Sequence, residues 1–331
     1  MNILLTVPEG AIKTRHFPPE CMARLHALGT VVENPLGRPF TRAELKDRLA
    51  DCEVLLTHWH TVPQLDDDLL DAAPRLRVVA HCAGTVAHVA SEGCYARGIV
   101  VLSANAIMAE YVAEGVLGMM IASLRRFSDF NDAMHRGVWA PQPAQNRSLL
   151  DLRIGLVGLG TVGRRLLDLL RPLGCAVTVY DPYLPADALA EWPAAHVGTL
   201  AEVLRCPVVS IHAAQTPETF HLIDAAALAQ LPDGALLINT ARGSLVDTGA
   251  LIAALQTGRI SAALDVYEHE GVAQPAALRD CPNVLLLPHQ AAAPAGVHMT
   301  NGILDDLARY ARGEALRLRV THNQFLHMTQ E

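Results

Sequence analysis

Aromatic side chains are scarce in this chain of 331 residues, at 5 %, while hydrophobic residues make up 51 %. That balance suits α/β packing rich in Ala, Leu and Val. No run of eighteen uncharged apolar residues occurs, so no transmembrane helix and no membrane partner is expected. The N-terminus, Met1-Asn-Ile-Leu-Leu-Thr-Val7, lacks a positively charged segment and runs straight into a strand pattern, which argues against a signal peptide. Lys and Arg form no cluster of useful size and the net charge is −8, so a nucleic-acid surface is not expected either. The seven cysteines (Cys21, Cys52, Cys82, Cys94, Cys175, Cys206 and Cys281) include no C-x-x-C pair. Their odd number and apolar neighbours predict reduced, partly buried thiols in a cytoplasmic protein, with none in an activating setting. Low-complexity segments are absent.

What is present alternates. Short apolar runs at 3–7, 31–33, 54–57, 78–80 and 99–102 read as strands, with helical patterns between them, such as 41–50 with its Thr41…Glu44 capping box. A long helix with apolar residues almost all round is predicted over 106–127, to be buried between domains or subunits. A second series places strands at 154–157, 176–180, 208–211, 235–239, 261–264 and 284–287. Six strands is the number a full Rossmann sheet needs. A last helix, opened by Pro294 and Gly296, brings no new sheet and needs a surface to cover. The fold class expected is α/β: two Rossmann-like or flavodoxin-like domains with parallel sheets, one inserted into the other. Residues 1–102 with 291–331 form the outer domain, and residues 103–290 the inserted one.

The inserted domain opens on Ile154-Gly-Leu-Val157 followed by Gly158-x-Gly160-x-x-Gly163, with Asp181 eighteen residues further on at the end of a second strand. The glycines serve a tight turn, close backbone approach to a pyrophosphate and close helix–strand packing. The helix N-terminus behind them presents free N–H groups and a positive dipole end to a diphosphate. A carboxylate at Asp181 can hold a ribose 2′-OH and repels a 2′-phosphate. Strand before, helix after and acid at the right distance together predict NAD binding in preference to NADP.

Three later strands end in reactive side chains. Asn239-Thr-Ala-Arg242 puts a guanidinium at one strand end, Ala263-Leu-Asp265-Val-Tyr-Glu268-His-Glu270 offers carboxylates at the next, and Val284-Leu-Leu-Leu-Pro-His289 sets an imidazole at a third. Open α/β sheets bind ligands at such ends. A 2-keto acid needs a cation for its carboxylate, and Arg supplies a bidentate fork. Reduction of its carbonyl leaves an alkoxide that needs a proton, and His is the usual donor near neutral pH. A carboxylate on the other ring nitrogen fixes the tautomer and keeps the acid form available.

The ordered series G-L-G-x-V-G, V-Y-D-P, N-T-A-R-G-S-L-V-D, A-L-D-V-Y-E-x-E and N-V-L-L-L-P-H resembles the D-isomer-specific 2-hydroxyacid dehydrogenase family over nearly the whole chain, most densely from 151 to 290. The resemblance implies that Arg242, Glu270 and His289 are catalytic. It implies that Thr161 and Val162 back the pyrophosphate, that Asp181 binds the adenosine ribose and that Asp265 holds the nicotinamide carboxamide. Ala213, Thr216, Thr240 and Ala241 would line the cofactor cleft. It further implies an inserted cofactor domain and a homodimer joined through it, giving the 106–127 helix and the 128–150 segment a buried role.

The sequence also departs from the family. A G-x-G-x-D loop that donates N–H groups to the substrate carboxylate is replaced by Ala83-Gly84-Thr85-Val86-Ala87-His88, which leaves Gly84 and Thr85 as the candidate donors. After His289 the usual glycine-containing turn is Gln290-Ala-Ala-Ala293. Prolines usual around Glu270 are His269 and Gly271, and one near His212 is Ala214. Thr57-His58-Trp59-His60 ends a strand of the outer domain, and Trp59 is expected to line the substrate pocket. Its H-x-H is read as lining and not as a metal site, because no third ligand is evident and the chemistry needs none. Two alternatives share the scaffold: an NAD(H)-sensing corepressor, and a dehydrogenase for another oxyanion such as phosphite.

Overall fold

The computed structural model describes residues 1–139, 146–185, 187–192 and 195–329. The chain divides into two compact units, Met1–Met108 with Ala293–Glu331, and Ala109–Ala292.

In the first unit, strands β1 (Asn2–Leu5), β2 (Thr30–Glu33), β3 (Val54–Thr57), β4 (Val78–His81) and β5 (Val100–Ser103) form a parallel sheet in the order β2-β1-β3-β4-β5. β3 and β4 are buried at every residue, as a strand covered on both faces must be. Leu4, Leu55, Val79 and Val101 from the sheet pack with Leu45, Leu49, Leu65 and Leu69 from the covering elements. The Thr41 capping box is formed, with the hydroxyl accepting from Glu44 N and the Glu44 carboxylate accepting from Thr41 N, but it opens only a short helix, Arg42–Lys46.

The helix Gly296–Ala311 lies against the helices Ala11–His16 and Pro19–Leu28 of the same unit. Arg24 secures it, donating to Asn301 Oδ1 at 2.5 Å and pairing with Asp305. Beyond it the chain closes the β5 edge: Ser103 N donates to Leu318 O at 3.0 Å and Val320 N to Val101 O at 2.8 Å. Such covering removes an edge that could pair with another chain.

In the second unit, β6 (Arg153–Val157), β7 (Ala176–Tyr180), β8 (Ala195–Val197), β9 (Val208–Ile211), β10 (Leu236–Asn239), β11 (Ser261–Leu264) and β12 (Val284–Leu286) form a parallel sheet ordered β12-β11-β10-β9-β6-β7-β8. Among the described residues the sheet has seven strands, not the six expected. The addition is β8 at the sheet edge, where Ala195-His-Val197 offers no apolar run to mark a strand.

The long apolar helix spans Asn105–Leu124 and stops short of the predicted Phe127. Arg126, at φ 53°, breaks the helical run, and its guanidinium pairs with Asp129 in the next helix, Phe127–His135. By length and composition alone Asn105–Leu124 could cross a membrane, although Glu110 and Glu114 interrupt its apolar sequence. Val112, Ala113, Val116, Met119, Met120 and Leu124 on it are buried. Of the 128–150 segment, residues 140–145 lie outside the described residues.

Two histidines in the first unit tie its stability to pH. His58 is fully buried with Nε2 3.2 Å from His16 Nδ1, and burial, then His16, push its pKa down to about 3. His81, fully buried at the end of β4, is pushed well below its ordinary 6.5 by burial and then by His88, His58 and His60. The unfolded chain takes up these protons below about pH 6.5 and the folded unit does not, so stability is complete above that pH and is lost as the pH falls towards 3. Each histidine removes about 1.4 kcal/mol per pH unit across that window. Thermal melts should show Tm falling steadily from about pH 7 to pH 5, with a shallower slope in His58→Asn. A level Tm over that range would contradict this assignment.

Candidate active site in the second unit

The glycine loop joins β6 to the helix Thr161–Leu170, with Gly160 as N-cap. Gly158 has φ +90°, and a Cβ there would meet Ala213 N at 2.6 Å, so only glycine lets the β6 loop lie on the β9 loop. A Cβ on Gly163 would come 2.9 Å from Gly158 O, which is the close helix–strand approach anticipated for the third glycine. Gly160 has open space where a Cβ would stand, leaving its backbone approachable. Thr161 is exposed and Val162 half-buried in the first helical turn. Asp181 follows β7, where Oδ2 accepts from Leu159 N at 2.9 Å and Oδ1 from Tyr183 N at 3.0 Å. The acid is thereby tied to the glycine loop itself.

Across the sheet, His212 N donates to Val157 O and leads to Ala213, while Thr216 N donates to Thr219 Oγ1 at 2.8 Å. After β10, Ala241 N donates to Asn239 Oδ1 at 3.1 Å and Asn239 Nδ2 to Arg242 O at 2.8 Å. Asn239 thus folds the turn that presents Arg242, whose Nη1 also donates to Ala241 O at 2.8 Å. The hydroxyl of Thr240 is buried without a hydrogen-bond partner among the described residues. An approachable glycine loop at a helix N-terminus, a tethered acid and an unsatisfied hydroxyl on one sheet edge fit a dinucleotide.

β10, β11 and β12 are consecutive in the sheet, with Asn239 in register with Leu264 and Leu264 with Leu286. The ends that carry Arg242, Asp265 and His289 are therefore neighbours. Glu270 and His289 meet directly, Nδ1 to Oε2 at 2.7 Å, with both side chains partly exposed. This bond directs Nε2 away from the carboxylate. His289 has φ 54°, uncommon for a residue with a Cβ. Asp265 holds that backbone in place. Its carbonyl accepts from His289 N at 2.8 Å, Oδ1 from Gln290 N at 2.7 Å and Oδ2 from Ala291 N at 2.9 Å, and the residue is only 1 % exposed.

Tyr267, which sequence reasoning passed over, links the β11 loop to the chain leaving β12. Its N–H donates to Glu270 Oε1 at 3.3 Å and its hydroxyl to Leu287 O at 2.8 Å, just before Pro288 and His289. Burial, then the Asp265 carboxylate, push its phenol up to about 12, so it remains a donor throughout the working pH range. Only its place between two acids of the motif could have marked it.

The residues singled out in the first unit have separate settings. Trp59 packs edge-on against His58, ring centroids 4.6 Å apart. The carbonyl of Gly84 accepts from the Ser103 hydroxyl, and a Cβ on Gly84 would meet Met108 Cε at 2.7 Å. The Thr85 hydroxyl donates to Thr329 O at 2.9 Å near the C-terminus. His58 and His60 diverge, His58 towards His16 and His60 towards His88, whose ring centroid is 5.8 Å away.

Gly243 sets the tolerance of the site. A Cβ there would lie 1.8 Å from Tyr267 C and 2.1 Å from Tyr267 O, because the β10 and β11 loops touch backbone to backbone. Gly243→Ala should cost about 3 kcal/mol, the upper end of ordinary overpacking, read as a lowered urea midpoint. An unchanged midpoint would refute this contact.

Residues 117–291 match the D-isomer specific 2-hydroxyacid dehydrogenase family, NAD binding domain. A D-3-phosphoglycerate dehydrogenase of Haemophilus influenzae is 34 % identical over 80 % of the chain and 65 % of its own length. A glyoxylate reductase of Korarchaeum cryptofilum is 28 % identical over 83 % of the chain and 85 % of its own. The chain spans 65 %, 55 % and 51 % of three curated phosphoglycerate dehydrogenases that it matches. A solved phosphoglycerate oxidoreductase from Rhizobium etli superposes with a TM-score of 0.79 at 28 % identity, over 97 % of this chain and 98 % of that one. The chain belongs to the D-isomer-specific 2-hydroxyacid dehydrogenases, and its second unit carries their NAD-binding domain.

Proposed function

We propose that the protein interconverts a 2-keto acid and a D-2-hydroxy acid, with His289 as the general acid and base. The observation that carries this reading is the 2.7 Å bond between His289 Nδ1 and Glu270 Oε2. It fixes the imidazole so that Nε2 is the nitrogen that exchanges a proton with the substrate oxygen. Bound NADH supplies the hydride to C2. Arg242 receives the substrate carboxylate through its guanidinium fork and polarises the carbonyl. Glu270 stabilises the positive charge on His289 while the proton is held, and Tyr267 N–H keeps Glu270 turned towards it. In the oxidative direction neutral His289 removes the hydroxyl proton. Gly84 and Thr85 remain the proposed N–H donors to a carboxylate, and Trp59 the proposed wall for the substrate side chain.

For the cofactor, Asp181 supports NAD over NADP, since a 2′-phosphate would meet a carboxylate held in place by two backbone N–H groups. For assembly, we propose a homodimer through the second unit. Phe127, Met134, Val138 and Trp139 there are exposed, Trp139 by 86 %. Sedimentation equilibrium should give twice the chain mass, and a monomer would refute that assembly. All seven cysteines are free and buried, which suits the proposed cytoplasmic location.

NADH consumption with glyoxylate, hydroxypyruvate, pyruvate and phenylpyruvate tests the reading, together with NAD reduction by D-3-phosphoglycerate and by phosphite. At least one 2-keto acid should turn over, NADPH should serve at least about tenfold less well, and His289→Ala should lose about 10²–10⁴-fold in kcat. Tight NADH binding without turnover of any organic acid would overturn the reading in favour of a sensor. Turnover of phosphite alone would assign a different oxyanion.

A further inference from the structure

His221 stands outside every motif, yet its side chain sits where two of the site loops meet. The backbone from His221 to Ile223 runs parallel to that from Ser244 to Asp247. His221 N donates to Ser244 O at 2.8 Å, Ile223 N to Leu245 O at 3.0 Å and Asp247 N to Ile223 O at 3.2 Å. His221 has φ 49°, a conformation in which a residue with a Cβ persists only when its surroundings hold it. Phe220 stacks on one face of the imidazole, centroids 4.0 Å apart.

The two ring nitrogens face two different loops. Nε2 is 3.5 Å from Glu268 Oε1 and Nδ1 is 3.9 Å from Asp247 Oδ2. Asp247 closes the loop that carries Arg242, and its Oδ1 accepts from Ala250 N at 2.9 Å as N-cap of the helix Thr248–Gln256. Glu268 belongs to the loop that carries Glu270, and its Oε1 accepts from Thr248 N at 2.9 Å. Two carboxylates therefore converge on the same helical turn, with the imidazole between them. Either carboxylate alone would be served by the helix N-terminus. The ring fills the gap between them, with one nitrogen turned to each carboxylate. Glu268 is two residues from Glu270, and the Arg242 and Glu270 loops already touch at Gly243 and Tyr267. A slip of the Glu268 anchor has no slack to dissipate in before it reaches Glu270 and His289.

We infer that His221 is a positioning residue for the reaction: its imidazole, set between Asp247 and Glu268, holds the Arg242 loop and the Glu270 loop in register. The inference rests on the dehydrogenase reading for its kinetic consequence. Its structural content, that the two loops are coupled through one ring, stands apart from that reading.

The test uses His221→Asn, since asparagine accepts the left-handed backbone and carries no imidazole, together with Glu268→Gln and the double variant. With the best 2-keto acid, His221→Asn should lower kcat about tenfold or more and raise the keto-acid KM, while the NADH dissociation constant stays within about twofold. Glu268→Gln should do the same, and the double variant should lose no more than the worse single variant. A kcat for His221→Asn within about twofold of wild type, or a double-variant loss equal to the product of the two, would overturn the inference. Amide exchange supplies a readout independent of turnover. Peptides covering 242–248 and 265–271 should both exchange faster in His221→Asn, and unchanged exchange in both would overturn the coupling. A wild-type protein inactive on every 2-keto acid but showing that paired change would defeat the dehydrogenase reading and leave the coupling standing.

Discussion

The Asp265 carboxylate is the group on which the rest of the site depends. It is nearly sealed from solvent, and burying an anion costs several kcal/mol unless donors replace the lost water. The donors are the N–H groups of Gln290 and Ala291, one to each oxygen, and the Asp265 carbonyl accepts from His289 N as well. One residue at the end of β11 thus dictates the path of the chain leaving β12. The left-handed backbone at His289, unfavourable by itself, follows from that path. With the turn fixed, the imidazole has Glu270 within hydrogen-bond reach.

That arrangement is possible because three parallel strands end side by side. Parallel order puts all the carboxyl ends on one edge, and the register of Asn239, Leu264 and Leu286 places their following residues level with one another. The loops are cross-linked, through Gly243 against Tyr267, the Tyr267 hydroxyl on Leu287 O and Glu268 on the first turn of the helix Thr248–Gln256. On the opposite side of β9, the Gly158 loop and Asp181 are joined by the Leu159 N–H. The glycine loop with Asp181 and the strand ends with Arg242, Glu270 and His289 are therefore separate constellations at one end of the same sheet.

Much of this was legible in the chain. Buried parallel strands are apolar runs bounded by glycine and polar residues, and every long strand of both sheets announced itself in that way. The glycine spacing and Asp181 foretold a loop and an acid that do meet. The pairing of Glu270 with His289 was legible only through the resemblance, because nineteen residues separate them and no local period links them. β8 escaped notice because Ala195-His-Val197 contains no apolar run, unlike the equally short edge strand β12, and the early end of the long helix because an arginine in a left-handed conformation leaves no compositional mark. The contributions of Tyr267 and His221 rest on backbone carbonyls, a strained φ and spacing between loops, which a linear sequence does not display.

The claim at the centre of this account is that Glu270 acts through His289. Steady-state reduction of the best 2-keto acid by wild type, Glu270→Gln, His289→Ala and the double variant tests it most directly. If the two side chains work as one unit, Glu270→Gln alone lowers kcat about tenfold or more, and adding it to His289→Ala costs less than about twofold. A double variant that loses the full product of the two single effects would show two independent groups and contradict the account.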